Sequence, residues 1–126
     1  MEHPIVVKIL KEGIDSVNLS MLDESARKRI LADVGDKLLK QARFDDAIDV
    51  LSKANEMGRL TEIAENFIKE GKSELAAKCL IPTKNKQKLN EVAVLCIQAK
   101  NYKLAAKAYE SADNKQMADF IEQNFV

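Results

Sequence analysis

Apolar residues recur at spacings of three and four over most of the chain, the period of a helix that buries one face. The pattern predicts a first helix over residues 4–12, a long one over residues 23–42 and another over residues 43–55. Pro4 suits the first turn of its helix, and Gly13 suits the position just past its end. No second candidate strand accompanies the β-branched run at residues 5–7, so helix is favoured there.

The second half of the chain contains the same pattern twice. Residues 59–87 and 88–116 align without a gap at an offset of 29 residues, and both contain the run Leu-Ala-Ala-Lys. A third, weaker copy begins near Lys28, and the final segment repeats only the first helix of a unit. A fixed period of this size is typical of stacked supersecondary units.

These features predict an all-α protein, a right-handed α-solenoid of stacked antiparallel helical hairpins. Residues 1–126 form one domain in this interpretation. It contains an N-terminal helical extension (1–27), three repeats of about 29 residues (28–56, 57–85 and 86–114) and a C-terminal capping helix (115–126). Small residues recur where two helices must approach closely. They are Gly35, Ala64 and Ala93 in the first helices and Ala47, Ala76 and Ala105 in the second helices.

The repeated positions resemble those of the tetratricopeptide repeat, which pairs large apolar residues with small ones at fixed spacing. The corresponding sets in this chain share that spacing. They are Leu31-Val34-Gly35-Leu38-Ala47-Leu51-Ala54, Leu60-Ile63-Ala64-Phe67-Ala76-Leu80-Thr83 and Leu89-Val92-Ala93-Cys96-Ala105-Tyr109-Ala112. The period is shorter than the family's period of about 34, leucine replaces the tryptophan, and the proline between units is missing. The short period is more similar to the helical-hairpin arrays of vesicle-coat, clathrin-type and intraflagellar-transport subunits.

The composition excludes several functional classes. Twenty basic and twenty acidic residues give a formal net charge of zero, which provides no electrostatic footprint for nucleic acid or an anionic membrane. No apolar run approaches the roughly 20 residues that span a bilayer. We expect no membrane insertion. Two cysteines and no signal peptide in the first 20 residues favour reduced thiols and a cytoplasmic location.

Residues that could carry catalysis or hold a cofactor are scarce. His3 is the only histidine and lies at the N-terminus, where no third group is expected to orient it as a base. Cys79 and Cys96 have no histidine nearby and do not form a metal motif. The four glycines are isolated, so there is no phosphate loop. We therefore expect a noncatalytic protein with no metal and no cofactor.

The resemblance implies a binding surface. In tetratricopeptide arrays the first helices line a concave groove that holds peptides, so the equivalent positions here form a predicted peptide groove. They are Asp33, Asp36 and Lys40, then Thr61, Glu62 and Glu65, then Asn90, Glu91 and Val94. The acidic residues favour a basic or amphipathic segment of a protein partner. The alternative is that these charges form an ordinary solvated face.

Three functions follow from these observations. The first is a protein-interaction or scaffold module that binds a peptide or helix in the groove. The second is a structural segment of a larger trafficking or coat-type solenoid that assembles through its ends, with self-association through Met117, Phe120 and Phe125. The third is a regulatory subunit of an enzyme.

Overall fold

A computed structural model describes residues 3–126. Within that range the chain forms eight α-helices and two 3-10 turns, and it contains no β-strand, which confirms the all-α prediction. The 3-10 turns are Ile14–Ser16 and Ile81–Thr83. The helices are α1 (Pro4–Glu12), α2 (Glu24–Lys40), α3 (Phe44–Lys53), α4 (Met57–Lys69), α5 (Ser73–Leu80), α6 (Lys86–Gln98), α7 (Tyr102–Ser111) and α8 (Lys115–Phe125).

The chain divides into two compact units. The first unit ends at Met57 and the second runs from Gly58 to Val126. The core of the first unit joins three helices, because Val6 of α1 packs in one cluster with Leu31 and Val34 of α2 and Val50 of α3. The N-terminal helix is therefore part of a three-helix core.

The core of the second unit consists of the residues that the repeat predicts. In α4 and α6 the small residues Ala64 and Ala93 are fully buried, as are the large residues Leu60 and Leu89. Successive helices pack against one another from α5 to α8, and α5 also contacts α7. The predicted columns therefore lie on the buried stripes of these helices, except for Thr83, which is half-buried in the 3-10 turn Ile81–Thr83.

The backbone repeats with the same 29-residue period as the sequence. Left-handed φ angles recur at Ala42, Gly71 and Lys100, where the two helices of a hairpin are joined. A second series, at Asn55, Lys84 and Asp113, joins one hairpin to the next. After the first series, the amides of Arg43, Lys72 and Asn101 donate to the carbonyls of Leu38, Phe67 and Cys96. Each bond joins the amide of a residue just past a helix to a carbonyl in the last turn of that helix. This is the Schellman motif, which a residue with left-handed backbone permits.

Only one of the three hairpin turns has a glycine at its left-handed position, and this provides a stability test. Left-handed backbone costs a residue with a Cβ roughly 1–2 kcal/mol, whereas glycine adopts it freely. We expect Lys100→Gly to raise the free energy of unfolding by about 1 kcal/mol, because φ at Lys100 is 62°. Gly71→Ala should lower it by a similar amount. Urea denaturation measures both; a loss of stability in Lys100→Gly would contradict the strain argument.

Side-chain caps fix where the helices begin. Asp23 accepts a hydrogen bond from the amide of Ala26 at 2.7 Å and starts α2. Asn85 and Asn114 cap α6 and α8 in the same way, as the sequence predicts. The helix α2 has 17 residues and α4 and α6 have 13 each. The period alone places the start of the first repeat at Lys28. Asp23 caps α2 so that the helix begins at Glu24, one turn earlier.

Candidate binding surface

The helical period places the predicted groove residues of the second unit on the side of α4 and α6 that faces away from the core. Glu62 and Glu65 lie between buried positions of α4, and Glu91 and Val94 lie between buried positions of α6. All four side chains are exposed. Val94 is 45% exposed and offers an apolar position on this side of α6. Thr61 and Asn90 are half-buried beside them.

One lysine connects the two helices across this surface. Lys88 Nζ of α6 donates a hydrogen bond to Glu65 Oε1 of α4 at a distance of 2.6 Å. The bond to Lys88 holds the pKa of the Glu65 carboxyl below its usual range, and Glu65, with a smaller effect from Glu91, raises the pKa of Lys88. Lys88 and Glu65 therefore form a charged pair that connects α4 and α6.

Asn90 has a structural role in this surface. Its Oδ1 accepts a hydrogen bond from Asn114 Nδ2 at 3.0 Å, and its Nδ2 donates to the carbonyl of Lys86 at 2.9 Å. Because Asn114 caps α8, the Asn90 carboxamide connects α6 to the start of the next first helix. Lys86 Nζ lies 3.2 Å from a carboxylate oxygen of Asp113 at the same junction.

Lys88 and Asn114 contact residues of this surface, although the predicted groove does not include them. Lys88 lies three residues before Glu91 on the same helix, and oppositely charged residues at that spacing are neighbours. That spacing could have indicated Lys88 from the sequence. Glu62 also has a cation nearby, because Arg59 Nη1 lies 3.5 Å from its carboxylate. The surface is thus less acidic than its carboxylates alone suggest, and the exposed Val94 adds an apolar position.

The groove residues of the first unit lie on α2. Asp33 is half-buried and accepts a hydrogen bond from Lys37 Nζ at 2.7 Å, a pair within one helix. Asp36 and Lys40 are exposed. Lys40 is the last residue of α2, where a cation interacts favourably with the helix dipole.

The three residues that sequence analysis weighed for chemistry have structural positions. His3 Nδ1 accepts a hydrogen bond from the amide of Ile5 at 3.1 Å and caps α1. Cys79 and Cys96 are fully buried, reduced thiols. Burial raises the pKa of Cys79 to about 12 and, with a smaller effect from the Glu74 carboxylate, that of Cys96 to about 11. Both thiols are therefore protonated and poor nucleophiles at neutral pH.

Among residues 3–126, no helix is both long and apolar enough to span a bilayer. In the same part of the chain, no group of three or more histidine, cysteine, aspartate or glutamate side chains is arranged to hold a metal ion. Comparisons with known protein families, curated proteins and solved structures gave no match.

Proposed function

We propose that this chain is a noncatalytic protein-interaction module built as a tetratricopeptide-like solenoid, and that it binds a peptide or helix of a partner protein on the first-helix surface. The 29-residue period shared by the sequence and the backbone turns supports the repeat architecture. The observation that carries the binding proposal is the ion pair between Lys88 and Glu65. It connects the exposed side of α4 to α6 through one charged contact.

The chemistry of this surface favours an amphipathic segment. Val94 offers an exposed apolar contact on α6, one turn after Glu91, and Glu62 and Glu65 are exposed on α4. A lysine or arginine of a partner can pair with these carboxylates. A partner segment with one apolar residue flanked by basic ones matches that arrangement. Charged groups at such a surface contribute chiefly to association rate and selectivity, and the apolar contact to affinity.

Charge reversal on this surface should abolish partner capture. We expect Glu62→Lys combined with Glu91→Lys to lose a protein that the unmodified chain captures from its native lysate, because basic partner residues would then face lysines. Capture followed by mass spectrometry measures this. A photo-reactive residue in place of Val94 should cross-link to the same protein.

A matched control separates this effect from a general change of charge. Glu70→Lys combined with Glu74→Lys makes the same change in net charge in the second unit, outside the predicted groove. It should leave capture intact, and circular dichroism should show equal helix content in both variants. Equal capture by both double variants would reject the first-helix surface as the binding site.

A second candidate function is assembly through α8, and its exposed aromatic residues favour it. The side chains of Phe120 and Phe125 are 51% and 48% exposed, and their rings meet edge to face with centroids 6.2 Å apart. Phe125 also stacks on Tyr102 of α7 at 4.8 Å. End-to-end association predicts a mass that rises with concentration in light scattering and that returns to the monomer in Phe120→Ser. A mass independent of concentration would exclude assembly of the isolated chain.

A further inference from the structure

A groove of about 450 Å³ lies between α7 and α8, on the second helix of the last repeat and the helix that follows it. Two nearly buried alanines, Ala106 and Ala118, line it from the two helices. Glu110, Asp119 and Glu122 line it as well, and all three carboxylates are exposed. This groove is separate from the first-helix surface on α4 and α6.

The repeat shows what kind of element fits there. Moving back by 29 residues takes Ala106, Ala118 and Glu122 to Ala77, Leu89 and Ala93, which are all fully buried. Those residues belong to α5 and α6, and α7 packs against both of these helices. The equivalent position one repeat earlier is thus occupied by a helix. The groove between α7 and α8 has the same two-helix frame and accepts a helix in the same relation.

The residues that line this groove carry more negative charge than the equivalent residues one repeat earlier. Glu110 replaces Ile81, Asp119 replaces Asn90, and Glu122 replaces the buried Ala93. Among residues 3–126, no lysine or arginine forms an ion pair with Glu110, Asp119 or Glu122. These three carboxylates are exposed and have no ion-pair partner in the described part of the chain, so the lysines or arginines of a basic partner can pair with them.

We propose that the α7–α8 groove is a docking site for a helix of a partner protein that carries small apolar residues on one face and lysine or arginine on its flanks. The small residues would approach Ala106 and Ala118 as closely as α7 approaches α5 and α6, and the flanking cations would pair with Glu110, Asp119 and Glu122. One basic residue, Lys115, also lines the groove. The three carboxylates outnumber this lysine, so the groove still attracts such a helix.

The sequence of α7 provides a defined probe. A fluorescent, hydrocarbon-stapled peptide of Tyr102–Ser111 with lysine in place of its glutamate keeps the alanine face and adds a third cation. Fluorescence anisotropy with the full chain should show saturable binding that weakens with added salt, because exposed charges are screened. We expect the chain variant Glu110→Lys/Glu122→Lys to bind the peptide at least about tenfold more weakly.

Two controls make this result specific. The chain variant Glu70→Lys/Glu74→Lys, with the same change in net charge, should bind as the unmodified chain does. A peptide of the same composition whose alanines are spread around the helix should not bind. Absence of binding by the unmodified chain, equal weakening in both chain variants, or equal binding of the two peptides would each overturn the proposal. Self-association that Glu110→Lys/Glu122→Lys abolishes would also overturn it, because the occupant would then be a second copy.

Discussion

Truncating Leu89 to alanine should lower the free energy of unfolding by about 2–5 kcal/mol, which is the usual cost of emptying a buried leucine site. Leu89 lies in α6 and its side chain is fully buried. It occupies the column of Leu31 and Leu60, which are also buried. The loss combines the transfer free energy of the removed methyl groups with the cavity that the rigid surroundings leave behind. The midpoint and slope of urea denaturation measure this change.

Leu95 provides the matched control, because the same substitution in the same helix removes the same atoms from a half-buried position. Leu95→Ala should cost roughly half as much or less, since part of its side chain already contacts water. Similar losses from the two substitutions would mean that the repeat column does not mark the core of α6. A loss below about 1 kcal/mol in Leu89→Ala would have the same meaning.

The repeat allowed the helices and their buried faces to be predicted because both depend on local periodicity. The spacing of Leu60 and Ala64, and of Leu89 and Ala93, fixes which face of α4 and α6 is apolar. Pro82 lies in the 3-10 turn Ile81–Thr83 directly after α5, where it has no amide hydrogen to continue the α-helical bonding. The tight turn at residues 70–72 also follows from the sequence, since glycine at position 71 adopts a left-handed backbone without steric cost.

Other features depend on information that periodicity does not contain. Ala42 and Lys100 adopt the same left-handed backbone as Gly71 although neither residue type favours it, so their conformation is imposed by the helices on either side. These two residues show local sequence preference giving way to the geometry that the hairpin requires. The start of α2 instead follows a local preference, because aspartate is a favoured N-cap residue.

The sequence predicts which residues of the candidate surface face outward, but it does not predict which of them form ion pairs. The helical period alone identifies Glu62, Glu65, Glu91 and Val94 as outward-facing. The pairing of Glu65 with Lys88 depends on the distance between two helices, and a pattern along one helix does not report that distance. For the same reason the hydrogen bond between Asn90 and Asn114 was not foreseen. The arrangement of charges on this surface thus depends on contacts between helices as much as on the composition of each helix.

The close approach of α2 and α3 at Gly35 explains a glycine in the middle of a helix. Glycine at such a position costs about 1 kcal/mol relative to alanine in helix propensity. A Cβ at residue 35 would lie 2.6 Å from Leu51 Cδ2 and 2.7 Å from Leu51 Cγ. Leu51 is only 1% exposed, so its side chain has little room to move away. The absence of a side chain at Gly35 therefore permits the two helices to pack as they do.

Gly35→Val should lower the free energy of unfolding by about 3 kcal/mol, because a branched side chain forces apart two packed helices. Gly58 is the matched control: it lies in the first turn of α4, and a Cβ there would meet nothing within 4 Å. Gly58→Val should change stability by less than about 0.5 kcal/mol. Combining Gly35→Val with Leu51→Ala tests the contact directly, since the smaller residue makes room for the larger one. The double variant should lose less stability than the two single losses added together; strict additivity in urea denaturation would show that Leu51 is not what excludes a side chain at residue 35.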